Sequence, residues 1–155
     1  MLVMVPQQEP HRCRLDVTRI LPHLYQGSVP RPGGEVARCG FTVLVLAAQE
    51  YQPPRDFYPG VKVIRAPLDD SGRPMTEREW KTARAAAKEV AAAVSSGERA
   101  LVTCIQGRNR SGLIVALACH LLTGESGSYC ADRIRGKRKN ALMNQWFNHA
   151  LDRVG

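Results

Sequence analysis

No stretch of this 155-residue chain approaches the apolar length needed to cross a membrane. The opening residues Met1-Leu2-Val3-Met4-Val5-Pro6 carry neither the basic leader nor the apolar core of a signal peptide. A cytoplasmic protein without membrane insertion is the expectation. Cysteine is sparse and scattered: five residues, an odd count, with no Cys-x-x-Cys pair. That excludes the common zinc motifs and leaves a disulfide framework unexpected. Cys13, Cys39, Cys119 and Cys130 then read as small apolar fillers in a reducing compartment. The histidines His11, His23, His120 and His149 show no metal-ligand spacing. Internal repeats, low-complexity tracts and linkers are absent too.

Acidic residues are outnumbered 14 to 22 by lysine and arginine, giving a net charge of +8. Such a balance favours anionic partners but says nothing about fold. At 44% hydrophobic the chain can bury a core without staples, so 1–155 is expected to form one domain, with about 1–12 as a loose N-terminal extension. Strand-like runs at 15–20, 24–26, 42–47, 61–66 and 100–103 alternate with helical patterns at 34–39, 77–94, 111–122, 128–135 and 142–154. That order predicts an α/β domain. The 77–94 pattern is the clearest, with a Thr76/Glu79 capping box and Trp80, Ala83, Ala87, Val90 and Val94 along one face. Trp80 and Trp146 are both expected to face the core. Prolines and a closing glycine make 52–60 a loop.

Chemistry concentrates in Cys104-Ile105-Gln106-Gly107-Arg108-Asn109-Arg110-Ser111-Gly112, between an apolar strand and a helix. Cys13 and Arg19 repeat the spacing of Cys104 and Arg110, but their segment has no glycine and reads as a strand. In the Cys104 segment, Gly107 permits a turn in which the amides of Ile105, Gln106, Gly107, Arg108 and Asn109 form an anion nest. The opening helix adds its positive end. A phosphate dianion suits such a nest.

Hydrolysis of a phosphate ester is eased by a covalent intermediate, which makes Cys104 the candidate nucleophile. Free thiols are only a few per cent ionised at neutral pH, and a helix N-terminus beside arginine raises that fraction. Arg110 offers a planar fork for two phosphoryl oxygens. Ser111 is placed to donate a hydrogen bond to the departing sulfur. A general acid is also needed, and Leu68-Asp69-Asp70-Ser71-Gly72 follows the 61–66 strand, where loops at strand carboxyl ends converge. Asp70 is the first candidate and Asp69 the second, although Asp-Asp-Ser-Gly is also ordinary turn composition.

These segments together resemble the dual-specificity branch of the protein tyrosine phosphatase superfamily. The likeness covers nearly the whole chain: Ile20-Leu21-Pro22-His23-Leu24-Tyr25-Gln26-Gly27-Ser28 is similar to its opening strand and turn, and Gly40 to Ala48 to its central strand. Ala66-Pro67-Leu68-Asp69-Asp70 resembles the acid loop, Cys104 to Ser111 the phosphate loop, and Asn144-Gln145-Trp146-Phe147 the start of the closing helix. The resemblance implies a three-layer fold with a central, mostly parallel sheet flanked by helices, and a phosphatase needing no metal or organic cofactor. It further implies action on phosphotyrosine and phosphoserine or phosphothreonine in proteins.

Two departures keep alternatives open. Thr103 stands where the family usually has histidine, which removes one aid to thiolate formation and leaves a phosphate-binding module without turnover as an alternative. Gly107-Arg108-Asn109-Arg110-Ser111-Gly112 is close to the Gly-x-Asn-Arg-Thr-Gly of the superfamily's RNA 5′-triphosphatases. With Arg133, Arg135, Lys137, Arg138 and Lys139 it admits RNA, an inositide or a nucleotide as substrate.

Overall fold

Two short apolar runs become the two central strands of a mostly parallel sheet. A computed structural model describes residues 13–155, so the N-terminal extension and His11 lie outside the described residues. Strands β1 (Val17–Leu21), β2 (Leu24–Ser28), β3 (Val43–Ala48), β4 (Lys62–Leu68) and β5 (Ala100–Cys104) form one sheet in the order β1-β2-β5-β3-β4. The β1–β2 pair is an antiparallel hairpin, and the other pairings are parallel. The expected α/β architecture, a mostly parallel sheet flanked by helices, is the one observed.

Every residue of β3 and β5 is buried, as strands covered on both faces must be. Alternation sorts them. Val43, Val45, Ala47, Val102 and Cys104 face a core built with helices α2 (Glu77–Ser95), α3 (Arg110–Thr123), α4 (Gly127–Lys137) and α5 (Gln145–Asp152). Leu44, Leu46 and Leu101 face a smaller cluster with Val36, Cys39, Phe41 and Tyr58, under the short helix α1 (Glu35–Arg38) and the 52–60 loop. Helix α3 is buried from Arg110 through Cys119, apolar nearly all round because the sheet, α2 and α4 enclose it. Each fully buried Leu, Ile or Val contributes about 1.5–3 kcal/mol. No helix among the described residues is long and apolar enough to cross a membrane.

Several expectations need correction. The closing helix starts at Gln145 rather than 142, because Leu142 takes φ 52° and Asn144 caps the helix, accepting from the amides of Trp146 and Phe147. Trp80 packs half-buried against the core as expected, whereas Trp146 does not join the core and its indole donates to the Gly72 carbonyl at 2.8 Å. Cys13 and Cys39 are not fillers: a disulfide joins them, with Cα atoms 5.4 Å apart. Their separation of 26 residues carries no motif, and only the docking of the chain before β1 against the end of α1 brings them together. Cys119 and Cys130 are free and fully buried, and burial pushes the Cys119 thiol up to about 12.

Candidate active site

Three adjacent parallel strands, β5, β3 and β4, end at one cleft of about 450 Å³. Gln49 and Glu50 reach it from the end of β3, Asp69, Asp70 and Ser71 from the end of β4, and Cys104, Ile105, Gln106, Arg108, Asn109 and Arg110 from the end of β5. Crevices in open α/β sheets form at strand carboxyl ends in this way.

The loop after Cys104 is shaped from behind. The Gln106 carbonyl accepts from Arg138 Nη2 at 3.2 Å, and the Gly107 carbonyl from Arg138 Nε at 2.6 Å and Gln26 Nε2 at 3.1 Å. The Arg108 carbonyl accepts from the Leu142 amide at 3.1 Å and from Gln26 Nε2 at 3.3 Å. In a trans peptide the C=O and N–H point in opposite directions. With three consecutive carbonyls held outward, the N–H groups of Gly107, Arg108 and Asn109 face the cleft. Gly107 makes the turn with φ 67°, and a Cβ there would lie 2.3 Å from the Gly27 backbone. Helix α3 has no side-chain cap, since its N-cap Asn109 turns its side chain elsewhere, so its N-terminal amides stay open to an anion.

Cys104 is buried, and its Sγ lies 3.3 Å from Ser111 Oγ, the thiol donating. Gln26 Nε2 donates to the same oxygen at 3.2 Å. Ser111 Oγ receives both bonds, and its own hydrogen can rotate to donate to the sulfur once the thiol has lost its proton. Thr103 is fully buried and donates to the Val45 carbonyl at 2.8 Å, so its hydroxyl serves the sheet and not the loop.

Arg110 has five N–H donors. Nη1 donates both of its hydrogens, to Glu50 and to the Leu68 carbonyl at 3.1 Å, and Nη2 donates one to Glu50 Oε2 at 3.0 Å. Nε is buried with no partner among the described residues. The two donors left, on Nε and Nη2, share one edge of the planar guanidinium. Hydrogen bonding to Arg110 holds Glu50 below the usual carboxylate range.

The two candidate acids are differently committed. Asp69 accepts from Gln49, from both the amide and the hydroxyl of Ser71, and pairs with Arg73. Bonds from Ser71 hold it below the usual carboxylate range. Among the described residues, Asp70 accepts only from the side-chain amides of Asn109 (3.0 Å) and Asn144 (2.7 Å). The basic cluster also divides: Arg133 pairs with Glu125, Arg135 with Asp132, and Arg138 with Asp16 and the loop carbonyls.

Cys104, Arg110 and Asp70 thus line one cleft together with Ile105, Gln106, Arg108 and Asn109, while Ser111 is fully buried behind the Cys104 sulfur. Gln26, Glu50 and Arg138 also shape the cleft without having been predicted to. Gln26 carried a signal, as a polar residue on the buried face of a strand; Glu50 did as well, just past the end of β3. Arg138 carried none.

No family model matches the chain. Human dual specificity phosphatase 28 is 34% identical over 134 residues, spanning 84% of this chain and 73% of that protein. The crystal structure of human DUSP28 superposes with a TM-score of 0.73 at 27% identity, covering 87% of this chain and 89% of that one. A mouse putative dual specificity phosphatase, complexed with zinc tungstate, gives 0.72 at 25% identity over 97% of this chain and 88% of its own. PTPMT1 shares the fold, with a TM-score of 0.73 at 17% identity over 88% of this chain and 91% of that one. The chain therefore belongs to the dual-specificity phosphatases of the protein tyrosine phosphatase superfamily, cysteine-based hydrolases of phosphate-bearing substrates.

Proposed function

We propose that the chain hydrolyses phosphomonoesters of tyrosine, serine and threonine in proteins through a phosphocysteine on Cys104. The observation that carries this reading is the three outward carbonyls at 106–108, which leave inward amides and the free edge of Arg110 around the Cys104 sulfur. The mouse relative was solved with zinc tungstate; a tetrahedral oxyanion of that kind suits such a cradle.

Cys104 Sγ, its proton lost to solvent, attacks phosphorus as the thiolate while the ester P–O bond breaks and Asp70 gives its proton to the departing oxygen. The developing charge on the equatorial oxygens falls on the loop amides and the Nε/Nη2 edge of Arg110. Asp70, now a carboxylate, takes a proton from water as its oxygen attacks phosphorus. The S–P bond breaks, and Ser111 donates to the leaving thiolate. Glu50 keeps the outer edge of Arg110 occupied, so that the guanidinium offers its other edge to substrate.

Monoesters fit better than polyphosphates. Glu50, Asp69 and Asp70 line the wall facing the loop, where a second phosphate would meet carboxylates. Three of the six basic residues that favoured RNA are engaged in ion pairs within the protein, and of the six Arg108 lines the cleft. A panel of phosphotyrosine peptide, phosphothreonine peptide, triphosphate-ended RNA and an inositol lipid tests the reading. Both peptides should turn over, and neither should with Cys104→Ser. Faster release from RNA or lipid than from either peptide would reject it.

A further inference from the structure

The turn that carries Asp70 is fastened to the rest of the site by bonds that the two-step reaction does not itself require. Asn109 Nδ2 donates to Asp70 Oδ2 at 3.0 Å, and Asn144 Nδ2 donates to Asp70 Oδ1 at 2.7 Å. Two residues on, the Gly72 carbonyl accepts from the Trp146 indole at 2.8 Å. Both amides are themselves oriented. Asn109 Oδ1 accepts from the backbone amides of Met143 (2.8 Å) and Asn144 (3.0 Å). Asn144 Oδ1 accepts from those of Trp146 (2.9 Å) and Phe147 (3.1 Å). An amide whose oxygen is committed to backbone donors must turn its NH₂ the other way.

Asp70 is exposed, and an exposed carboxyl is free to rotate. Here each of its oxygens is held by a separate donor, one on the phosphate loop and one at the start of α5. Each carboxyl oxygen has two lone-pair sites, so an amide bond at one leaves the other for the proton. General acid catalysis depends on that proton being aimed at the ester oxygen, and small misplacements are costly.

We propose that Asn109 and Asn144 are positioning residues that aim Asp70 at the departing ester oxygen, an inference that rests on reading Asp70 as the general acid. Asn109 precedes Arg110 directly, so consecutive residues hold the phosphoryl group and orient the acid. The asparagine that resembled a triphosphatase loop is thereby engaged in acid placement.

Two substitutions separate positioning from folding. Asn109→Ser withdraws the amide from Asp70 without placing a charge beside the phosphate loop. Asn144→Ser keeps a helix cap but cannot span to Asp70. Steady-state kcat and KM for phenyl phosphate and 4-nitrophenyl phosphate are measured in wild type, each variant, Asp70→Asn, and each variant combined with Asp70→Asn. Each asparagine variant should lower kcat for phenyl phosphate by about tenfold or more, within the roughly 10²- to 10⁴-fold that a general acid supplies, with little change in KM. The loss should shrink for the nitrophenyl ester, whose leaving group needs no proton and whose turnover reports an intact loop. Neither variant should cost anything further once Asp70 is Asn. Equal losses for both esters, or an added loss in the Asp70→Asn background, would overturn the positioning role. If Asp70→Asn itself affects both esters equally, the assignment of the acid fails and the inference falls with it.

Discussion

Asp69 and Asp70 are neighbours with opposite commitments. Asp69 is absorbed by Ser71, Gln49 and Arg73 and held in its ionised form, which makes it a poor proton donor. Asp69→Asn should therefore reduce stability through the turn while leaving the leaving-group dependence of hydrolysis as in wild type. Asp70→Asn should slow phenyl phosphate by about 10²- to 10⁴-fold, as steady-state assays of the two variants would show. Glu50 makes a prediction in pH. Its carboxyl lies below the usual range because of Arg110, so the stability it adds is present above its unfolded value and is lost as pH falls through the folded one. Urea midpoints of wild type and Glu50→Gln should differ at neutral pH and converge in acid; a gap that widens in acid would contradict the pairing. The sequence made Asp70 legible because it follows a strand end, and Glu50 satisfies the same rule after β3. A lone glutamate suggests no chemistry until its partner is known.

Among the elements, β5, its loop and α3 were the most readable, since an apolar strand, a glycine and an apolar helix occur in unbroken order. Gly107 is the most constrained position of that unit. Its positive φ and its contact with the Gly27 backbone leave no space for a methyl group. Gly107→Ala should cost about 1–3 kcal/mol from the left-handed conformation alone, with further loss because a backbone neighbour cannot step aside. Denaturant midpoints and phosphate affinity should both fall; an unchanged affinity would mean that the loop does not depend on this turn. The start of α5 was half legible. Apolar residues from Leu142 onward suggested a helix, while Asn144 carried the capping signal that proved decisive. Thr103 was read through what it replaces. Its hydroxyl instead bonds the Val45 carbonyl across β5 and β3, a role that appears only once strand order is known.

For the whole molecule, net charge was the least informative property. The +8 balance favours anionic partners in general, yet Arg133, Arg135 and Arg138 are paired internally, and Arg138 holds the phosphate loop from behind. Charge counts do not reveal which guanidinium groups the fold will use. The Cys13–Cys39 disulfide was equally hidden, because it depends on docking between distant segments. Closing a loop of that size stabilises by about 3.5 kcal/mol in the chain-entropy model. Reductant should lower the denaturation midpoint of wild type but not of Cys39→Ser, with turnover retained below the transition; equal midpoints would deny the bond a stabilising role. The central claim is that the fold brings Cys104, Ser111, Arg110 and Asp70 together for a two-step transfer through sulfur. Its most direct test is acid-quenched reaction of Ser111→Ala with 4-nitrophenyl phosphate, since weakening thiolate departure should make the intermediate accumulate. The account predicts a burst approaching one nitrophenolate per active site and a phosphoryl group that peptide mapping locates on Cys104. Turnover without a phosphorylated Cys104, persisting in Cys104→Ser, would contradict it.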